Sequence, residues 1–231
     1  MGPVIRLEDV WYRYPGQRDY AVKSVTLEVG EARSLALYGP NGSGKTTILK
    51  LAAQLLRPSR GRITAWGRDP WTGPGIRGRV VYVHEKPVML SGTVEYNVAY
   101  GLLVKGVGKR EALDAARSLL EEAGLQHLAG RRAKGLSTGQ KAMVALLRAL
   151  AVEPRVLLLD EPLANMDMET RRRAIRLLRE YRRRGGGLAL ASHDLASTMS
   201  LVEEAVWVEG GRVTLRGRPD RILEEAYGGT G

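Results

Sequence analysis

The sequence predicts an α/β fold that combines a mostly parallel sheet, an antiparallel β layer and an inserted α-helical region. Short apolar runs, such as SLALY (34–38) and VLLLD (156–160), alternate with helical patterns, which is typical of strands buried on both faces of a parallel sheet. Near the N-terminus apolar and polar residues partly alternate, which indicates antiparallel strands with one solvated face. From about residue 93 to 152 the pattern becomes helical, and we interpret this stretch as the insertion.

The individual elements follow from local signals. VIRLEDVWYRY (4–14) and VKSVTLEV (22–29) predict the first strands of the antiparallel layer. TTILKLAAQLL (46–56) has helical spacing, and Pro58 is expected to end that helix. The other predicted elements are strands over GRITAWG (61–67) and VVYV (80–83), a helix over 110–125 ending at Gly124, a helix over 168–184, strand LALAS (188–192) and a hairpin turning at Gly210 and Gly211.

The whole chain, 1–231, is predicted to be one domain. Residues 1–84 and 150–231 would form the catalytic core with its antiparallel layer, and 85–149 the helical part. Hydrophobic residues make up 44% and charged residues 26%, as in soluble globular proteins, and no apolar run reaches the roughly 18 residues that a membrane span needs. The absence of cysteine excludes disulfides and thiolate metal sites, which fits a cytoplasmic protein.

The stretch from residue 39 to 46 has the spacing G-x-x-x-x-G-K-T between a predicted strand and a predicted helix. Such a loop cradles phosphate oxygens with backbone N–H groups, and the following helix adds its positive N-terminal end. Lys45 would reach the β- and γ-phosphates, and the Thr46 hydroxyl would ligate Mg²⁺. A glycine-rich turn without this role is the alternative. The predicted nucleotide-binding residues here are Gly39, Pro40, Asn41, Gly42, Ser43, Gly44, Lys45, Thr46 and Thr47.

Two acidic residues follow the strand VLLLD directly. Asp160 ends the strand and Glu161 comes next, at the edge where parallel sheets present their ligands. Asp160 is suited to hold Mg²⁺, mostly through water, and Glu161 to act as general base on an attacking water. The alternative is an acidic exit from a strand, which is less consistent with four buried aliphatic residues before it.

The order of the motifs resembles that of ABC transporter ATP-binding subunits, importer type. GLSTGQ (135–140) is similar to the family signature, and LLLDEP, LANMD and SHD follow in the family's order. The resemblance covers nearly the whole chain and implies a P-loop NTPase core. It also implies that two copies meet head to tail and hold two ATP molecules, each between one copy's P-loop and the other copy's signature.

The resemblance assigns further residues. Tyr14 matches the aromatic residue that stacks on adenine, with Trp11 and Tyr12 as rivals and a packed strand aromatic as the alternative. His193 matches the histidine that contacts the γ-phosphate, and Asp167 the acid that couples the two sites. The signature residues expected at the partner's ATP are Ser137, Thr138, Gly139 and Gln140, and Ser137 is also suited to be a helix N-cap.

The chain departs from the family pattern at three positions. Where the family has a glutamine after the strand VVYV, this chain has Glu85. That carboxylate would bind the metal more tightly, hold a raised pKa beside other acids, or point to solvent; these readings stay open. Thr138 replaces the first glycine of the usual pair, and Met143 stands where an arginine is common.

The predicted function is ATP hydrolysis, with ATP and Mg²⁺ as cofactors, that powers solute transport. The expected partners are a second copy of the chain, a separate membrane permease docked on the region 85–134, and a solute-binding protein; the expected location is the inner face of the cell membrane. HEKPVML (84–90) resembles importers of oxyanions such as tungstate, molybdate or phosphate. An alternative is a soluble ABC ATPase that acts on nucleic acid or ribosomes, which the net charge of +11 and the arginine-rich helix 171–184 would suit. A solvated helix face explains these arginines better, and no nucleic acid partner is expected.

Overall fold

The computed structural model describes residues 5–72 and 78–227. Within these ranges the chain forms two sheets and seven α-helices, and the predicted α/β fold is confirmed. The strands are β1 (Ile5–Tyr12), β2 (Val22–Val29), β3 (Ser34–Tyr38), β4 (Arg60–Ala65), β5 (Val80–Val83), β6 (Val156–Asp160), β7 (Gly187–Ser192), β8 (Glu204–Glu209) and β9 (Arg212–Gly217). The helices are α1 (Lys45–Ala52), α2 (Val94–Val104), α3 (Lys109–Glu122), α4 (Thr138–Ala151), α5 (Met168–Arg183), α6 (Leu195–Thr198) and α7 (Pro219–Tyr227).

The larger sheet has the strand order β5-β6-β7-β3-β8-β9, and only β9 runs antiparallel to its neighbour. Because β5, β6, β7 and β3 are adjacent and parallel, their carboxyl ends meet at one edge of the sheet. The loops that leave this edge carry the predicted phosphate-binding loop, the two acidic residues and His193. The strand order thus brings chemistry from three distant segments to one edge.

Alternate residues of the central strands face two separate hydrophobic cores. On one side Leu35 and Leu37 of β3 pack with α1 and with the smaller antiparallel sheet, whose strand order is β2-β1-β4. On the other side Ala36 and Tyr38 pack with residues of α2, α3, α4 and α5. The sheet is therefore buried on both faces, which explains the continuous apolar runs that its strands show in the sequence.

The first predicted helix is shorter than its sequence pattern indicates. It ends at Ala52, and Gln54 has a positive φ of 59°, so the chain leaves the helix four residues before Pro58. The prediction that Pro58 ends this helix was therefore wrong. A helix that the sequence analysis did not predict, α7, follows the last strand. The other predicted elements are present, including the turn at Gly210 and Gly211, where both residues have positive φ.

In the part of the chain that the structure describes, no helix is both long enough and apolar enough to cross a membrane.

Candidate functional site: a phosphate-binding loop beside paired carboxylates

The phosphate-binding loop has a backbone that only glycine tolerates at its first position. Gly39 has a φ of 140°, and a Cβ there would lie 2.1 Å from the carbonyl oxygen of Val208. Helix α1 then begins at Lys45, directly after the loop. The N-terminal N–H groups of α1 therefore open onto the carboxyl edge of the sheet, as phosphate binding requires.

Lys45 is buried against the loop that precedes it. Its ammonium donates hydrogen bonds to the carbonyl oxygens of Gly39 and Pro40, each at 2.8 Å. Burial lowers the pKa of Lys45, while the charges of Glu161 and Asp160 act in the opposite direction. The ammonium is thus held close to the backbone amides of the loop and within the field of both acids.

Asp160 receives hydrogen bonds on both of its carboxylate oxygens. The Thr46 hydroxyl donates to Oδ1 at 2.9 Å, and the Tyr82 hydroxyl donates to Oδ2 at 3.0 Å. The Asp160 residue is only 3% exposed. Burial and the charge of Asp160 raise the pKa of Tyr82 above its ordinary value, so its hydroxyl stays protonated and remains a donor at neutral pH. Tyr82 could not be predicted from the sequence as a site residue, because an aromatic residue on a strand carries no signal of its own.

Glu161 and His193 form a second pair at the same edge. His193 Nδ1 lies 2.9 Å from Glu161 Oε1, and the His193 backbone N–H donates to the same oxygen at 3.0 Å. The Ser192 hydroxyl donates to Glu161 Oε2 at 3.3 Å. Glu161 has a φ of 48°, which is costly for a residue with a side chain, and its N–H donates to the carbonyl of Ala191. The surrounding contacts therefore hold this carboxylate in one place.

Of the three candidate aromatic residues, Tyr14 is the one that hydrogen-bonds to α1. Its hydroxyl lies 3.1 Å from the Thr47 hydroxyl, and its ring meets that of Tyr12 edge to face. Tyr12 is buried in the core, and the Trp11 indole N–H donates to Asp9. Tyr14 therefore lies beside the phosphate-binding loop, and its role in stacking on adenine stays a prediction.

The signature segment satisfies its polar side chains locally. The Ser137 side chain caps α4 by accepting from the Gln140 N–H, and the Gln140 side chain accepts from the Ser137 N–H. Thr138 is the first residue of α4. A Cβ on Gly139 would lie 2.7 Å from the carbonyl oxygen of Asn165, so this glycine lets α4 pack on the loop before α5. The predicted N-cap role of Ser137 is confirmed, and contacts with a partner's ATP stay predictions.

Asp167 caps the helix that follows this loop. Its carboxylate accepts from the backbone N–H of Thr170 at 2.8 Å and from the Thr170 hydroxyl at 2.9 Å. These hydrogen bonds lower the pKa of Asp167. Asp167 thus fixes the start of α5 next to the loop on which Gly139 packs, and its role in coupling two sites stays a prediction.

Glu85 lies just after β5 and is exposed. Its charge contributes to the raised pKa of Tyr82. Among residues 5–72 and 78–227, no three acidic or histidine side chains come together in the manner of a metal site, so Glu85 does not join Asp160 and Glu161 in such a cluster. Its assignment as a metal ligand stays a prediction.

The pair of Thr46 and Asp160 fits a magnesium ion that accompanies a nucleotide. Mg²⁺ prefers oxygen ligands and is usually held by one or two carboxylates together with phosphate oxygens and water. The Thr46 hydroxyl and the Asp160 carboxylate are adjacent at the mouth of the phosphate-binding loop, and none of the ion pairs among the described residues involves Asp160. The donor set is therefore chemically suited to the ion.

An apolar groove runs between the segment after β5 and the helices α2 and α4. Its volume is about 650 Å³. Three large hydrophobic residues at the groove are exposed: Val88 by 76%, Val104 by 70% and Tyr100 by 38%. Exposed apolar residues gathered at one groove are typical of a surface that another protein covers.

Comparison with known proteins gives a consistent result. The family model described as ABC transporter matches residues 22–164. A taurine import ATP-binding protein of Pseudomonas putida is 37% identical over 222 residues, which cover 96% of this chain and 81% of that protein. A molybdate/tungstate import ATP-binding protein of Thermococcus kodakarensis is 36% identical over 198 residues, covering 85% of this chain and 60% of that protein.

Solved structures agree with the sequence comparison. The ATP-binding subunit of an ABC transporter aligns with a TM-score of 0.85 and 27% identity over 96% of this chain and 93% of that one. A dimeric ATP-binding cassette in a post-hydrolysis state, bound to ADP and phosphate, aligns with a TM-score of 0.85 and 26% identity over 93% of this chain and 98% of that one. The resemblance drawn from the motifs is thereby confirmed, and the chain belongs to the ABC transporter family as an ATP-binding, ATP-hydrolysing subunit.

Proposed function

We propose that two copies of this chain bind two molecules of Mg-ATP between them and hydrolyse them to drive the import of a solute through a separate membrane permease. The observation that carries this proposal is the convergence at one sheet edge of the phosphate-binding loop, the Thr46–Asp160 pair and the Glu161–His193 pair. Each pair joins segments more than 30 residues apart in sequence. The presence of a dimeric relative bound to ADP and phosphate supports the dimer.

Each group at this edge has a distinct chemical task. Backbone N–H groups of the loop and Lys45 hold the phosphates and offset the charge that spreads over the γ-phosphate oxygens during transfer. Bound Mg²⁺, held by Thr46 and Asp160, would neutralise further charge on the phosphates. Glu161 accepts a proton from the attacking water. His193, whose Nδ1 lies 2.9 Å from Glu161 Oε1, orients the same water and the γ-phosphate. The N-terminal end of α4 from the partner, with Ser137, would close the site.

Replacing the general base tests the proposal directly. We expect Glu161→Gln to lower the hydrolysis rate by about 10²- to 10⁴-fold, which is the usual contribution of general-base catalysis. Because the amide keeps the shape of the side chain, ATP binding should persist. The ATP-bound dimer should therefore accumulate, and light scattering measures this. Glu122→Gln, at an exposed position on α3, is the control and should leave both properties unchanged. A Glu161→Gln chain that hydrolyses ATP at the native rate would refute the assignment.

We assign the groove beside α2 and α4 to the permease. Its exposed apolar residues, Val88, Tyr100 and Val104, belong to the region 85–134 that is expected to dock the permease, and they fit a surface that a protein partner covers. Binding there would bring the chain to the inner face of the cell membrane. The relatives that carry import names support the direction of transport and the presence of a solute-binding protein.

For the substrate we propose a solute that carries a tetrahedral oxyanion or sulfonate group. The named relatives import taurine, whose acidic group is a sulfonate, or molybdate and tungstate. The test uses vesicles that carry the permease and the binding protein, and it measures uptake of labelled molybdate, tungstate, phosphate and taurine in turn. Competition by the unlabelled solutes then shows which of the four is preferred. Vesicles that take up none of the four labelled solutes would refute this substrate class.

The alternative function, action on nucleic acid, has little support from the arginine-rich helix. Five of its arginines form ion pairs with acidic side chains, which reduces the positive charge available to phosphate groups: Arg171 with Asp194, Arg173 with Glu169, Arg182 with Glu203, and Arg183 and Arg184 with Glu180. These pairs favour a solvated structural face.

A further inference from the structure

Tyr82 connects the edge strand β5 to the carboxylate of Asp160. Its hydroxyl donates to Asp160 Oδ2 at 3.0 Å, while the Thr46 hydroxyl donates to Oδ1 at 2.9 Å. The two donors come from different elements, β5 and α1, and approach different oxygens of one carboxylate. Asp160 therefore has a defined oxygen toward Thr46 and another toward Tyr82.

This arrangement matters because the terminal torsion of an aspartate is otherwise loosely fixed. Rotation about χ2 is broad and roughly two-fold, so a carboxylate with a single hydrogen bond can present either oxygen over a range of angles. A second donor on the opposite oxygen removes that freedom. It also satisfies a buried oxygen that would otherwise lack a partner, since Asp160 is 3% exposed.

We propose that Tyr82 is a positioning residue for Mg²⁺: its hydroxyl fixes Asp160 so that Oδ1, beside Thr46, faces the ion that accompanies ATP. This inference rests on the proposed function, because it takes Asp160 and Thr46 as the magnesium-binding pair. Residues that orient a metal ligand commonly change metal affinity by about 10- to 100-fold when they are removed. Tyr82 acts on the ion through Asp160.

A matched variant at another tyrosine separates the positioning role of Tyr82 from a purely structural role. Tyr181 is also a partly buried tyrosine, and its hydroxyl donates to the carbonyl oxygens of Pro154 and Gly187, both at 3.0 Å. Tyr82→Phe and Tyr181→Phe each remove one hydroxyl and keep the ring in place. Both variants lose a buried hydrogen bond, but only the first loses a contact to Asp160.

Two affinities are measured for each variant. The affinity for Mn²⁺ is measured by electron paramagnetic resonance in the presence of a non-hydrolysable ATP analogue, and the affinity for that analogue is measured in EDTA. For Tyr82→Phe we expect Mn²⁺ affinity to fall about tenfold or more while analogue affinity in EDTA stays within about twofold of native. For Tyr181→Phe both affinities should stay native. Analogue binding in EDTA also reports that each variant is folded.

Two results would overturn the inference alone. One is Mn²⁺ affinity of Tyr82→Phe within twofold of native, and the other is an equal loss of analogue affinity with and without metal. An Asp160→Asn chain with native Mn²⁺ affinity would overturn the inference together with the proposed metal pair of Thr46 and Asp160. A native chain that binds no nucleotide would refute the proposed function and this inference together.

Discussion

The catalytic core and the signature segment (135–140) use their polar side chains in opposite ways. In the core, polar side chains from distant segments bond to one another, as Thr46 and Tyr82 do with Asp160. At the start of α4, Ser137 and Gln140 satisfy only each other, three residues apart. No hydrogen bond or ion pair of the described residues joins the signature side chains to the phosphate-binding loop.

This difference indicates which part of the molecule is organised within one chain and which part needs a partner. The core holds its phosphate-binding and carboxylate groups in place through contacts within one chain. The inserted helices instead present a capped helix N-terminus at one end and a groove with exposed Val88 and Val104 beside α2. We infer that one end serves a second copy of the chain and the groove serves the permease.

Removing the cap of α4 tests the first of these roles and has the largest expected effect among the variants that compare the two parts. Ser137→Ala should cost about 1 kcal/mol of stability as a lost N-cap. It should also lower ATP-driven dimerisation and hydrolysis by about tenfold or more, since a hydrogen bond to a charged group contributes about 1.5–3 kcal/mol. Urea unfolding, light scattering with ATP and steady-state hydrolysis measure the three quantities.

Thr93→Ala is the matched control for that variant. Thr93 caps α2 in the same way, by accepting from the Tyr96 N–H at 3.2 Å. Its loss should lower stability by a similar amount and leave hydrolysis unchanged. If both variants lose hydrolysis equally, the effect of Ser137→Ala is structural and the contrast between the core and the signature segment fails.

A charge placed in the groove tests the second role. Val104→Glu should lower the affinity of the chain for permease-containing vesicles by about tenfold, since burying a valine contributes about 1.5 kcal/mol or more. Hydrolysis by the isolated chain should not change. Leu55→Glu is the control, because Leu55 is also exposed, by 60%, and does not line the groove. Sedimentation with the vesicles measures the binding, and equal losses in both variants would contradict the assignment.

Substitution of Asp167, which caps α5 beside the loop on which Gly139 packs, has the smallest expected effect. Hydrogen bonds from Thr170 lower the pKa of Asp167 in the folded chain below 3.8, its ordinary value. A depressed folded pKa contributes stability above the unfolded pKa and loses it as the pH falls through the folded value. Asp167→Asn should therefore flatten the decline in stability below about pH 4. Urea unfolding at a series of pH values measures this, and an unchanged slope would contradict it.

The sequence was sufficient for the core because its constraints are local. The spacing of Gly39, Lys45 and Thr46 requires one backbone path, and the apolar run before Asp160 requires a buried strand. The length of α1 was predicted incorrectly because the helical spacing of apolar residues continues after Ala52. In the structure Gln54 has a left-handed backbone conformation, which no residue pattern predicts. Tertiary contacts decide such an ending, not propensity.

The contacts of the site were only partly predictable. The motifs selected Asp160, Glu161 and His193, but the sequence contained no sign that Tyr82 would reach Asp160, 78 residues away. Likewise, the need for glycine at position 139 arises from the backbone of Asn165, on another loop. Contacts between side chains of different strands depend on sheet order, which periodicity does not determine.

Crosslinking between two differently labelled chains is the most direct test of the shared ATP site. The native chain contains no cysteine, so Asn41→Cys in one chain and Gly135→Cys, at an exposed position beside Ser137 with open space around a Cβ, in another introduce a single thiol each, both in the Glu161→Gln background. We expect oxidation of the mixture with ATP and Mg²⁺ to give a disulfide-linked heterodimer, which should not form without ATP. A mixture that gives no heterodimer with ATP, or only pairs of the Asn41→Cys chain with itself, would contradict the account.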